Sequence, residues 1–158
     1  MTTVKRITPA IGFSAAAQKD ISAITALLRG ADLPHEDFAD YLAHFLVVRR
    51  GSEIVGAIGY ELHGADALLR SLVVAPELRG AGLGGRLVDQ LTAAALTQGV
   101  KRFFLLTTTA ETFFAKRGFQ KGDRRSVPAA IAGTKEFNSL CPVSAVCMTR
   151  SLEAVREP

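Results

Sequence analysis

Residues 68–96 read LLRSLVVAPELRGAGLGGRLVDQLTAAAL. The apolar, β-branched run that closes on Val73 and Val74 has the character of a buried strand. Pro76 ends that strand's ladder, because proline has no N–H to donate. Beyond it, Leu83, Leu87, Val88, Leu91 and Ala95 recur at helical spacing. A glycine-rich turn, Arg79-Gly80-Ala81-Gly82-Leu83-Gly84-Gly85, therefore joins a buried strand to the N-terminus of an amphipathic helix. The first N–H groups of a helix lack intrahelical acceptors and sit at the positive end of its dipole. Glycines let an anion approach that bare backbone, so the turn is a candidate phosphate cradle.

Three kinds of glycine loop share these features. A Walker-type P-loop ends in Lys-Ser or Lys-Thr, and this one has neither. Gly80-Ala81-Gly82-Leu83-Gly84-Gly85 satisfies the bare G-x-G-x-x-G dinucleotide pattern, which on its own is a weak signal. The fuller string, strand-Val-x-Pro-x-x-Arg-Gly-x-Gly-Leu-Gly-x-x-Leu-Val, resembles the acetyl-CoA pyrophosphate loop of the GNAT N-acetyltransferase superfamily.

Composition is consistent with that resemblance. At 158 residues, with 48% hydrophobic and 22% charged residues, the chain has the make-up of a single globular domain spanning 1–158. No apolar run reaches the roughly 20 residues of a membrane helix, and MTTVKRITPAIGF is a poor secretory signal. A cytoplasmic protein without membrane partners is the expectation. The net charge of +4 is dispersed, with small clusters at Arg49-Arg50, Lys101-Arg102 and Lys121 to Arg125. A nucleic-acid reader would gather these on one face among aromatics, so nucleic acid is not an expected partner. The two cysteines, Cys141 and Cys147, flank an expected strand and read as buried thiols, although soft thiolates could also take a metalloid. His35, His44 and His63 show no metal-ligand spacing and read as surface or loop residues; no metal is expected.

Along the chain, an extended segment ends near Phe13, and Asp20 to Leu28 mark a helix stopped by Gly30 in a left-handed turn. A turn then leads into a short second helix through Tyr41 and His44. Strands follow at Phe45 to Val48 and Ile54 to Leu62, joined by the hairpin Arg50-Gly51-Ser52-Glu53. After the central strand and helix, Gln98-Gly99 stops the helix and Arg102 to Leu106 forms another strand. Thr109 is positioned to cap a short helix holding Phe113, Phe114 and Arg117. Ser126-Val127-Pro128 opens a further short helix, Lys135 to Leu140 forms one more turn, and Ser144 to Met148 is the closing strand. The order β-α-α-β-β-β-α-β-α-β is an α+β arrangement, a mixed and mostly antiparallel twisted sheet with flanking helices. It is also the GNAT order.

The closing part narrows the resemblance. Leu105 to Phe119 (LLTTTAETFFAKRGF), Val127-Pro128, Glu136-Phe137-x-x-Leu140-Cys141-Pro142-x-Ser144-Ala145, Gly59-Tyr60-Glu61 and Leu68-Leu69-Arg70-Ser71 are similar to the small acetyltransferases named for arsenic-resistance operons. That group is related to the acetyltransferase domain of N-acetylglutamate synthases. The resemblance implies acetyl-CoA as cosubstrate. Backbone groups of Leu72, Val73 and Val74 would hold the pantetheine, and amides of Arg79, Gly80, Ala81, Gly82, Leu83, Gly84 and Gly85 the pyrophosphate. It implies that a neutral amine attacks the thioester directly, and that homodimers are common, though no stretch specifies the contact.

Two departures stand out. Many family members place a Tyr four residues before the Gly-Phe pair as acid for the leaving thiolate, and Phe114 stands there. Ser144 is the substitute donor suggested by a serine in the related synthases. The family's carboxylate near the start of the central strand is replaced by Leu68, which leaves Glu61 as base candidate. A Glu among apolar strand residues is costly to bury unpaired, and desolvation favours base duty; pairing with Arg70 or simple outward alternation is the alternative. Arg70 also interrupts an apolar run. It could clamp an acceptor carboxylate bidentately or partner Glu61. Thr107, Thr108 and Thr109 add acceptor-binding hydroxyls, and Asp32, Glu36 and Asp37 lie on the loop that covers the acceptor in the family, where Asp37 could equally cap a helix. The expected activity is acetyl transfer to a small, amino-acid-like amine, with arsenical or glutamate-like acceptors first. An N-acetylglutamate synthase-like activity, a non-catalytic acyl-CoA sensor and a thiol-based arsenic binder are the rivals.

Overall fold

A computed structural model of the protein describes residues 10–152. The opening stretch read above for a leader lies largely in residues 1–9, outside the described residues. Seven strands, β1 (Ile11–Ala15), β2 (Phe45–Arg50), β3 (Glu53–His63), β4 (Asp66–Val74), β5 (Arg102–Thr107), β6 (Gln120–Lys121) and β7 (Val146–Ser151), form one sheet in the order β1-β2-β3-β4-β5-β7-β6. Among the described residues, only β4 and β5 pair in parallel. Their connection carries the long helix α2 (Leu83–Thr97), as a parallel crossover requires. The other helices are α1 (Ile21–Gly30), α3 (Glu111–Ala115) and α4 (Ala129–Ala132). Among the described residues, no helix is long and apolar enough to cross a membrane.

The sheet is covered on both faces, which explains why β3 and β4 read as nearly continuous apolar runs. Tyr60, Leu69, Phe103 and Leu105 pack with Leu87, Val88 and Leu91 of α2. On the opposite face, Ala57 and Val73 pack with Ile24 and Leu28 of α1 and with Phe38 and Phe45. Further along that face, Leu68 and Phe104 pack against Ile131 and Phe137. Gly59 is required by this packing, because the Phe45 ring lies where a Cβ would stand.

One irregularity matters for function. In the β3–β4 ladder Gly59 faces Arg70, but Ala57 faces Val73, so Ser71 and Leu72 together oppose Ile58. Ser71 absorbs the extra residue with φ 62°, a left-handed conformation for a non-glycine residue. By alternation alone, Arg70 and Val73 would face opposite ways. The bulge puts both on the α1 face.

Local expectations are met with a few differences. Gly30 belongs to α1, and the left-handed turn falls at Asp32 (φ 56°), whose short polar side chain tolerates it. The second helix is a 3₁₀ segment, Phe38–His44. Thr109 does not cap α3: Ala110 occupies the N-cap position, and the hydroxyl of Thr107 accepts from the Ala110 N–H at 2.9 Å. The two-residue β6, too short to leave a periodic signal, pairs with β7.

Candidate active site

β4 and β5 pair over only three residues each, Asp66–Leu68 with Arg102–Phe104, and then part. β5 continues instead against β7, through Leu106 opposite Cys147 and Thr107 opposite Val146. The parting leaves a cleft of about 620 Å³. Leu69 to Val74 line one wall, and Leu105 to Ala110 with Phe114 line the other. Gly30 to Pro34 and the Leu140 to Pro142 segment close it on the α1 face. Within the β4 wall, the backbone past Leu68 lacks a strand partner on the β5 side, so its polar groups can bind an extended ligand.

The cleft runs toward the glycine turn. Arg79 lines it and donates from Nε to the Val74 carbonyl at 3.1 Å. Gly82, at φ 84°, is the N-cap residue of α2, and no side chain caps that end. A Cβ built at Gly80 or Gly82 would meet nothing within 4 Å, so the space before the helix is open. These features fit a pyrophosphate, whose charge matches the uncapped N–H groups and the dipole. Leu72, Val73, Val74 and Arg79 line the cleft, and Gly80 to Gly85 follow directly in the turn.

Beside the cleft on the α1 face lies a cluster of buried charge. The Arg70 side chain has no solvent exposure. Its two terminal nitrogens donate in parallel to the two carboxylate oxygens of Asp37. Nη1 also donates to Glu61 Oε2 at 2.7 Å, and Nε donates to Ser71 Oγ at 3.1 Å. Glu136 Oε1 lies 3.5 Å from Nε. Tyr41 sets its ring 5.9 Å from the guanidinium carbon, and its hydroxyl is held protonated to higher pH by burial and by the nearby Glu61 carboxylate. Three carboxylates thus share one guanidinium.

The unequal sharing shows in their acidities. Burial pushes Asp37 up, but the Arg70 bonds outweigh it and hold its carboxyl below the usual range. Glu136 has only the looser contact; burial, opposed by Arg70 and reinforced by the negative charges of Glu61 and Asp37, pushes it up to about 7. Arg70 itself is raised: burial disfavours its charge, but Asp37 and the other carboxylates overcome that.

This arrangement locates the residues singled out from the sequence. Glu61 and Arg70 do meet, and Glu61 is 1% exposed. The Arg70 fork is filled by Asp37, so a planar anion would have to displace that carboxylate. Asp37 occupies the N-cap position of its 3₁₀ segment but makes no cap bond, because its side chain is committed to Arg70. Thr107, Thr108 and Thr109 line the cleft, as does Asp32, while Glu36 is exposed. Ser144 does not line it. It is an exposed member of the turn closed by the Ala145 N–H to Pro142 carbonyl bond, so the donor role suggested for it has no support in the geometry. Phe114 lines the cleft and packs edge-on to Phe119. Burial, with the Glu136 charge, pushes the Cys141 thiol up to about 12, and burial also raises Cys147, so neither favours a thiolate. His63 is more than a surface residue, because its Nε2 is buried 3.5 Å from Glu61 Oε1. His44 stacks on Tyr60 with ring centroids 4.6 Å apart. Among the described residues, no group of three or more His, Cys, Asp or Glu side chains is arranged to hold a metal ion. Sequence reasoning gave Glu136 no role of its own.

Comparison with known proteins agrees with this geometry. The amino-acid acetyltransferase of Pseudomonas fluorescens is 38% identical over 93 residues, covering 58% of this chain and 22% of that protein. The Ralstonia nicotianae amino-acid acetyltransferase is 36% identical over 80 residues, 49% of this chain and 18% of that protein. The chain therefore spans about a fifth of the length of these relatives. Among solved structures, N-acetylglutamate synthase from Neisseria gonorrhoeae, complexed with coenzyme A and N-acetyl-glutamate, superposes with TM-score 0.79 at 21% identity, over 92% of this chain and 36% of that one. A GNAT-family acetyltransferase from Staphylococcus aureus superposes with TM-score 0.74 at 19% identity, over 91% of this chain and 100% of that one. The family model described as the acetyltransferase (GNAT) domain matches residues 42–121, just over half of the 158. From that match, and from a fold whose central strands part over a glycine-capped helix, the chain belongs to the GNAT acetyltransferase family.

Proposed function

We propose that the protein transfers the acetyl group of acetyl-CoA to the amine of a small, amino-acid-like acceptor, in the manner of the amino-acid acetyltransferases it is similar to. The observation that carries this reading is the continuity of one cleft. It runs from Arg79, in the turn that leads to the uncapped N-terminus of α2, past the unpaired edge of β4, to the bulge at Ser71 and to Arg70, which gathers the buried carboxylates beside the cleft. Acetyl-CoA supplies there a thioester whose carbonyl carbon is the electrophile.

The chain's own residues do the rest. Amides of Gly82 to Gly85 bind the pyrophosphate, and the β4 edge at Leu72 to Val74 aligns the pantetheine as an added strand. The bulge frees backbone groups at Ser71 and Leu72 to polarise the carbonyl. Glu61 accepts the proton that the acceptor's ammonium must lose before attack, directly or through water. Phe114 offers no proton, and a thiol leaves adequately without one. The hydroxyls of Thr107 to Thr109 contact the acceptor. Arg70 can join them only where Asp37 swings away.

The relatives favour amino-acid acceptors. The link to arsenic resistance is the finer form of the same proposal and rests on the sequence motifs alone. The test is thiol release from acetyl-CoA against a panel of amino acids that includes L-glutamate and arsenical analogues. Turnover that saturates with one amino acid supports the reading. Tight CoA binding with no turnover on any amine would make the protein an acyl-CoA sensor.

A further inference from the structure

Among the described residues with positive φ, only Asp32 and Ser71 are not glycine, and of these two only Ser71 lies inside a strand. Aspartate tolerates the left-handed region through its short polar side chain, whereas a left-handed bulge residue is ordinarily glycine. Strain kept at such a position signals a use for the side chain. One use is plain, because Ser71 Oγ accepts from Arg70 Nε at 3.1 Å. That bond alone does not call for a hydroxyl. Glu136 Oε1 stands 3.5 Å from the same Nε, and a carboxylate is the stronger acceptor for a guanidinium. A hydroxyl differs from a carboxylate in having a proton to give as well. Among the described residues, the Ser71 hydroxyl donates to no acceptor. Ser71 is 8% exposed and lines the cleft, on the stretch of β4 that has no partner in β5. The cation bonded to Oγ also polarises the O–H and strengthens its donation.

We infer that the Ser71 hydroxyl is a catalytic hydrogen-bond donor to the thioester carbonyl oxygen, a side-chain arm beside the backbone groups that the bulge frees. This rests on the acetyl-transfer reading above. The acceptor's ammonium first loses one proton to the base, and the amine nitrogen then bonds to the carbonyl carbon. The C=O π pair moves onto oxygen, where the Ser71 O–H and the freed backbone N–H groups meet it. The pair returns as the carbon–sulfur bond breaks, the electrons of that bond leave on sulfur, and a second amine proton ends there. The serine proton stays on Oγ throughout. Arg70 thereby acts on the reacting centre through Ser71, although its own fork is filled by Asp37. Phe114 has no such proton to give, and the hydroxyls of Thr107 to Thr109 stand on the opposite wall.

Ser71→Gly tests this, because glycine is at ease at φ 62° and keeps the bulge while losing the hydroxyl. Acetyl-CoA carrying ¹³C at the thioester carbonyl is bound without any amine, and isotope-edited infrared difference spectra read its C=O stretch. The stretch in the native protein should lie at lower frequency than in Ser71→Gly. With the best amine of the amino-acid panel, kcat should fall about 100-fold while KM for acetyl-CoA stays native. Equal frequencies in the two proteins, or a native kcat in the variant, would overturn the proposal and leave the hydroxyl serving Arg70 alone. If no amine is turned over, the acetyl-transfer reading fails, whereas a lower native frequency still supports the contact. Should Ser71→Gly not fold, Ser71→Cys keeps the shape with a weaker S–H donor, and an unmoved stretch in it overturns the proposal equally.

Discussion

Arg70 on β4 holds Asp37, 33 residues earlier in the chain, through two parallel N–H···O bonds with no solvent at the guanidinium. The pair pins the segment before β2 onto the centre of the sheet, and Glu61 and Glu136 complete the ring of charge around it. Removing the cation would strand three carboxylates. Arg70→Met should therefore destabilise the protein by about 3–5 kcal/mol, the loss expected when one partner of a buried ion pair is removed. Arg70→Lys keeps the charge but not the fork and should lose about 1.5–3 kcal/mol. Urea unfolding measures both; an Arg70→Met protein of native stability would mean the cluster is not formed.

Glu136 gives a pH prediction. Its folded-state value, pushed up to about 7 from 4.5, means that the folded protein binds its proton more tightly than the unfolded chain does. Ionising it therefore costs stability, beginning near pH 4.5 and complete above about 7. Glu136→Gln removes that cost. The variant should match the native protein near pH 4.5 and exceed it by on the order of 2–3 kcal/mol at pH 8. Melting temperatures across that range decide it, and an advantage that does not grow with pH would contradict the account.

How far the sequence reveals this site depends on distance along the chain. The glycine turn, the amphipathic α2 and the strands on either side of it follow from local periodicity and turn chemistry, which are legible within about ten residues. Glu61 and Arg70 could be matched because they lie on adjacent strands of one hairpin. Asp37 and Glu136 could not, because a 3₁₀ segment and a single irregular turn, far apart in the chain, bring them to one guanidinium on the α1 face. The bulge at Ser71 was equally hidden: no glycine marks its left-handed residue. An apolar run interrupted by one Arg was the sequence's signal that carboxylates must converge there.

Glu61→Gln keeps shape and hydrogen bonding but cannot take a proton at neutral pH. Turnover should fall by roughly 100-fold, with the affinity for acetyl-CoA little changed. Steady-state kinetics with the preferred amine checks this, and a near-native kcat would reduce Glu61 to a structural partner of Arg70.

The most direct measurement is calorimetric titration of CoA into the native protein and into Gly82→Glu. Gly82 sits at φ 84° before an uncapped helix end, with open space where a Cβ would stand. A glutamate there should strain the turn and set a negative charge where the pyrophosphate binds. The account predicts saturable binding by the native protein and at least about 100-fold weaker binding by a variant that remains folded, a loss near 2.7 kcal/mol. Equal affinities would contradict it.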